Sequence, residues 1–192
     1  MITLQLVKTQ EEMKGVLALQ QANLRKNITQ EEAETQGFLM AEYDLNFLKL
    51  LNQKSPGIIA KDGEKVVGYS LVALPETARK HPLLADLVQH IERCIFEGKP
   101  VENYAIVAQL CVSKDYRGQD LVQKLYGCFC DQYANRYTYC VTDVAQANHR
   151  SLKAHQKRGF QVIDTLTYGG IGWNIVLWDW NKKAAQESQA AY

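Results

Sequence analysis

The sequence predicts a mixed α/β (α+β) fold: a mostly antiparallel central sheet of about seven strands, flanked by helices, with a helical insertion before the central strand. Three observations carry this. Period-two and 3.6-residue apolar patterns alternate along the chain in the order strand, helices, three strands, helix, strand, helix, two strands. Asp62-Gly63 and Gly169-Gly170 each sit between two strand-like runs, as hairpin turns do. Ala105-Ile106-Val107-Ala108 is almost continuously apolar, as a strand buried on both faces must be.

Taken in order, Ile2 to Val7 alternates apolar and polar residues and reads as a strand. Thr9 and Glu12 form a capping-box pattern ahead of Met13, Val16, Leu17 and Leu24 at helical spacing. Thr29 and Glu32 repeat that signature before a short polar segment, which Gly37 to Ala41 ends. Asp44 caps a helix carrying Leu45, Leu48 and Leu51. Gly57 to Lys61 and Lys65 to Leu74 are strands, and Pro82 opens a helix with Leu83, Leu84, Leu87, Ile91 and Ile95 on one face. Tyr104 to Val112 is the central strand. A turn over Ser113 to Gly118 leads into a helix from about Gln119 with Val122, Leu125, Tyr126, Phe129 and Tyr133 on one side. Tyr137 to Asp143 is a strand, Asn148 to Lys157 a helix stopped by Gly159, and Phe160 to Tyr168 with Ile171 to Trp180 a closing hairpin. Residues 1–180 read as one domain, and the Ala- and Gln-rich 181–192 as a frayed tail.

Composition narrows the function. The 22 Lys+Arg and 21 Asp+Glu nearly cancel, so charge gives no reason to expect nucleic acid as a partner. The first residues lack the pattern of a signal peptide, and no apolar run nears the roughly 20 residues of a membrane span, so a cytoplasmic protein without membrane contact is expected. The five cysteines are odd in number, and Cys128-x-Cys130 is too tight for a usual metal pair, so no metal site is expected and all read as reduced thiols. Monomer and homodimer both remain open.

The chemistry centres on Leu110 to Leu121. A buried strand runs into a tight turn at Gly118, and a helix starts at once. The first turn of a helix offers unpaired N–H groups and the positive end of its dipole, which favour an anion such as a diphosphate. Arg117 adds a bidentate phosphate donor. A solvated surface turn would use the same residues.

The stretch resembles motif A of the GNAT acyltransferase superfamily: a strand ending Leu110-Cys111-Val112, then Tyr116-Arg117-Gly118, then an apolar helix. The family pattern Gln/Arg-x-x-Gly-x-Gly/Ala falls on Arg117, Gly118, Gln119, Asp120, Leu121 and Val122, with Asp120 and Val122 standing where small residues are usual. Asn148-His149-Arg150-Ser151 through Gly159-Phe160 is similar to motif B, in the right order and at the right distance. The likeness covers Val101 to Trp180 by motif and the first 100 residues by element order.

The resemblance implies an enzyme, an N-acetyltransferase with acetyl-CoA as cosubstrate and an amine acceptor attacking directly in a ternary complex. The amides of Arg117 to Val122 would hold the pyrophosphate, Leu110, Cys111 and Val112 would flank the pantetheine, and Asn148 and Ser151 would contact the cofactor. His155 stands where the family often has a Tyr that protonates the CoA sulfur, and is the expected catalytic acid. Gln109 replaces a frequent catalytic Glu, leaving Glu42, Asp143 and His149 as unranked candidates for the base. With Asp120, Val122 and Gln109 all departing from the pattern, a CoA-binding module without turnover is the alternative. The acceptor is expected among the first two helices, Gly37 to Tyr43 and the insertion Pro75 to Gly98, where Phe38, Met40, Tyr43 and Tyr69 suit a partly apolar pocket. No residue pattern selects the amine.

Overall fold

The computed structural model describes residues 1–182, so the expected tail lies outside the described residues from 183 onward. The strands are β1 (Ile2–Leu6), β2 (Ile58–Asp62), β3 (Lys65–Ala73), β4 (Ile95–Phe96), β5 (Lys99–Pro100), β6 (Tyr104–Val112), β7 (Tyr139–Ala145), β8 (Gln161–Tyr168) and β9 (Ile171–Asp179). The helices are α1 (Gln10–Asn23), α2 (Gln30–Gln36), α3 (Leu45–Lys54), α4 (Pro75–Ala78), α5 (Pro82–Ile91), α6 (Leu121–Tyr133) and α7 (His149–Arg158). Seven strands make one sheet in the order β1-β2-β3-β6-β7-β9-β8, and β4 and β5 pair separately. Every neighbouring pair of the large sheet is antiparallel except β6 and β7, which run parallel.

The local signals act as their chemistry requires. Thr9 and Glu12 cap α1 reciprocally, Thr29 accepts from the Glu32 N–H, and Asp44 accepts from the Phe47 N–H. One face of the sheet packs Ile59, Tyr69, Leu71 and Ile106 against Val16, Leu48, Leu87 and Ile91. The other packs Ala105, Val107 and Cys140 against Leu125, Tyr126, Phe129 and Tyr133 of α6. Burial on both faces explains why β6 is so uniformly apolar.

Three expectations shift. The helix after Gly118 begins at Leu121 rather than Gln119, because Gly118 (φ 79°) and Asp120 (φ 60°) are both left-handed and cannot be helical. Tyr137 lies in the turn that follows α6, its N–H bonding Tyr133 O, so β7 starts at Tyr139. The insertion helix stops at Ile91, and Ile95 sits 60% exposed in the β4–β5 hairpin, whose turn uses Glu97 and Gly98 at positive φ.

Candidate active site

β6 and β7 are bonded only over Tyr104–Ile106 and Tyr139–Val141. At the fork, the Thr142 hydroxyl donates to Val107 O at 2.9 Å. Beyond it, the main-chain groups of β6 that face β7 have no strand partner. A cleft runs through this gap, roofed by Phe38 and Leu39, which line both of its ends.

One end, about 660 Å³, is bounded by Leu110, Cys111 and Val112 of β6, by Arg117 and Val122, and by Asn148, Arg150, Ser151 and His155. Arg117 is aimed by three acceptors: Val112 O (3.2 Å), Asn23 Oδ1 (2.7 Å) and Gln36 Oε1 (3.2 Å). Arg150 bonds the same Gln36 oxygen. One neutral amide oxygen therefore sits between two guanidiniums. Burial, with Arg150 nearby, lowers the Arg117 pKa, but an arginine stays charged. Asp120 does not cap α6; its carboxylate pairs with Lys157 Nζ at 3.2 Å on the exposed side. The first-turn N–H groups of α6 are thus left free of any side-chain cap.

The other end, about 840 Å³, is formed by Phe38, Met40, Tyr43, Leu83, Leu84, Ala108, Gln109, Asp143, Tyr168 and Trp173, among others. Most of its polar groups are already committed. Tyr43 donates to Ala108 O, Gln109 donates to Ala41 O and accepts from the buried Tyr69 hydroxyl, and Trp173 donates to Tyr168 O. Asp143 differs. It reaches the cleft on one side while protein closes round the rest, and this desolvation, with Asp86 nearby, pushes its carboxyl up to about 6.

His155 lies where the two ends meet, 6% exposed. Its Nδ1 lies 2.7 Å from Ser151 O and must carry the proton; its Nε2 therefore accepts from the Tyr126 hydroxyl at 2.6 Å. Burial lowers its pKa to about 4. The imidazole is neutral at physiological pH, with its single N–H occupied. That environment argues against the imidazolium acid expected from its position in the motif.

The family model described as acetyltransferase (GNAT) matches residues 22–160. This chain belongs to the GNAT acetyltransferase family. The GNAT fold is also that of solved structures at low identity. The ribosomal-protein-S18-alanine N-acetyltransferase from Escherichia coli is 13% identical with a TM-score of 0.61, over 93% of this chain and 94% of that one. An N-acetyltransferase from Staphylococcus aureus Mu50 is 15% identical with a TM-score of 0.62, over 94% and 99%. The yncA protein of Salmonella typhimurium, solved with its cofactor acetyl-CoA, is 12% identical with a TM-score of 0.62, over 94% of each chain. No curated protein matches the chain.

Acetyl-CoA is the cosubstrate of this GNAT enzyme, and the donor set suits it. Two converging guanidiniums and an uncapped helix start fit a diphosphate, and a strand edge without a partner fits an extended amide-bearing chain. Of the residues expected at the site, Leu110, Cys111, Val112, Arg117, Val122, Asn148, Ser151 and His155 come together on one cleft. Gly118, Gln119, Asp120 and Leu121 do not line it: Gln119 turns back to Asp115 O, Leu121 is core, and Gly118 and Asp120 shape the turn. Asn23, Gln36 and Arg150 line it but were not read from sequence. Arg150 could have been, lying two residues after Asn148; Gln36 and Asn23 reach Arg117 from 81 and 94 residues away and carry no local signal. Phe38, Met40 and Tyr43 line the second end as expected, whereas Tyr69 is fully buried behind Gln109. Among the candidate bases, Glu42 is exposed and its pKa lowered by bonds from Gln21 and Lys26, and His149 is exposed outside the cleft. Asp143 is the one that faces it. Among the described residues, no group of His, Cys, Asp and Glu could hold a metal ion, and no helix is long and apolar enough to cross a membrane.

Proposed function

We propose that the enzyme moves an acetyl group from acetyl-CoA onto a primary amine, the amine attacking directly while both substrates are bound. The observation that carries this reading is the polarity of one continuous cleft, with paired guanidiniums at one end and the Asp143 carboxylate at the other. When bound, acetyl-CoA supplies the activated acetyl group. Arg117, Arg150 and the first-turn N–H groups of α6 hold its diphosphate, displacing the Gln36 amide oxygen. The free edge of Leu110 to Val112 lies beside the pantetheine, with Asn148 and Ser151 opposite.

Asp143 is the base of this reading. With a pKa near 6 it is ionised at neutral pH yet basic enough to take a proton from an acceptor ammonium. The amine forms its bond to the acetyl carbon as the carbon–sulfur bond breaks. Of the two protons the ammonium gives up, one goes to Asp143 and one to the departing sulfur. His155 serves by position: it ties Ser151 O to Tyr126 and fixes the start of α7.

Initial-rate kinetics over a grid of acetyl-CoA and amine concentrations test the direct attack. Intersecting double-reciprocal lines are expected; parallel lines, the mark of an acetyl-enzyme, contradict it. Tight CoA binding with no amine-dependent thiol release favours the module without turnover.

A further inference from the structure

We infer that the acceptor is a primary monoamine with an apolar, aromatic-sized body and no carboxylate, its ammonium on Asp143 and its body among Phe38, Met40, Leu84 and Trp173. The inference rests on the acetyl-transfer reading and names the substrate class of the same site.

Charge comes first. Asp143 is the only charged side chain lining the acceptor end, among the described residues. Asp86 of α5 acts on it electrostatically, and no Lys or Arg lines this end. A free amino acid would set its own carboxylate near Asp143 with no cation to offset it, and like charges in a half-desolvated site repel strongly. A polyamine would place a second ammonium among Phe38, Leu83, Leu84 and Trp173, where no second carboxylate waits.

Hydrogen bonding comes second. A sugar or a peptide needs a partner for each hydroxyl or amide that it buries. The cleft carbonyls Val107 O and Ala108 O already accept from Thr142 and Tyr43, and both ends of the Gln109 amide are engaged. What dominates is one anion beside an apolar, aromatic wall, with Asn148, Ser151 and Tyr168 as the neutral polar residues at its margin. Such a site recognises a cation on an apolar body.

The test uses two readouts on the intact enzyme: calorimetric binding of each amine to the protein–CoA complex, and product formation with acetyl-CoA. The probes are 2-phenylethylamine, phenylalanine (the same ring with a carboxylate), spermidine and an alanine-led tripeptide. 2-Phenylethylamine is expected to bind at least about tenfold tighter than each of the others, and Asp143→Asn to shrink its advantage over phenylalanine below about threefold. Equal or tighter binding of phenylalanine, spermidine or the tripeptide overturns the inference, as does an advantage that survives Asp143→Asn. Efficient acetylation of spermidine or the tripeptide overturns the acceptor class and leaves acetyl transfer standing. The expected binding order with no acetylated product overturns the transfer reading and leaves the ligand class standing.

Discussion

At the residue scale, Asp143 and His155 are desolvated groups whose pKa values move in opposite directions along the pH axis. Asp143→Asn removes the base, so kcat is expected to fall by about 10²–10⁴-fold while the CoA Kd stays within about twofold. In the unaltered enzyme kcat/KM should rise with pH and level off above about 6, as Asp143 ionises; a pH–rate profile of the variant should lack that limb. The same carboxyl affects stability. Its folded pKa lies above the unfolded value, so the native state binds more protons between about 4 and 6, and stability is lost as pH rises through that window. Asp143→Asn should therefore raise Tm at pH 7, and the gain should vanish below about pH 4. His155 has the reverse sign. Its folded pKa near 4 lies below the unfolded value, so its contribution is full above about 6.5 and is lost as pH falls toward 4. In the Asp143→Asn background the acid loss of Tm should steepen, since nothing then offsets His155.

At the element scale, the two helices that flank the cofactor end owe their geometry to their first turns. α6 starts from a left-handed Asp120, the backbone that makes glycine the usual occupant of such a position. Asp120→Gly is expected to change CoA affinity by less than about threefold, because the carboxylate faces Lys157, in an exposed pair of little energetic worth. Asp120→Val should cost about 1–2 kcal/mol in denaturant unfolding, because a β-branched side chain opposes that backbone. α7 is tied to α6 by the Tyr126–His155 bond inside a cluster with Phe160 and Trp178. Tyr126→Phe strands the His155 Nε2 and should cost about 1–3 kcal/mol of stability. These elements were legible in the sequence because their signals are local: caps at Thr9, Thr29 and Asp44, Gly159 behind α7, and the turn at Asp62-Gly63. The α6 start was misplaced by two residues because nothing in the sequence marks Asp120, a non-glycine residue, as left-handed.

At the scale of the whole molecule, the site exists because β6 and β7 part after three paired residues, and that divergence leaves no mark in either strand's apolar pattern. The cofactor strand and both helices could be read from motifs; the arms that close over them could not. Gln36 and Asn23 meet Arg117 only through the tertiary fold, and Asp143 stood level with Glu42 and His149 until the fold turned one into the cleft and left the others exposed. The cleft's polarity predicts two further binding results. Arg117→Ala should weaken CoA and flatten its salt dependence, since one phosphate contact is lost. Gln36→Ala should tighten CoA, since its amide oxygen no longer competes for the two guanidiniums. Weaker binding by the Gln36 variant, followed by calorimetry, would show that Gln36 supports the arginines in the bound state instead.

Amine-directed acetyl transfer is tested by incubating the enzyme with acetyl-CoA and a pooled set of primary amines, measuring free thiol and acetylated product mass together. One thiol released per acetylated amine is expected, with no release in the absence of amine and a rate at least about 10²-fold lower with Asp143→Asn. Thiol release that ignores the amine, or an Asp143→Asn enzyme of undiminished rate, would contradict it.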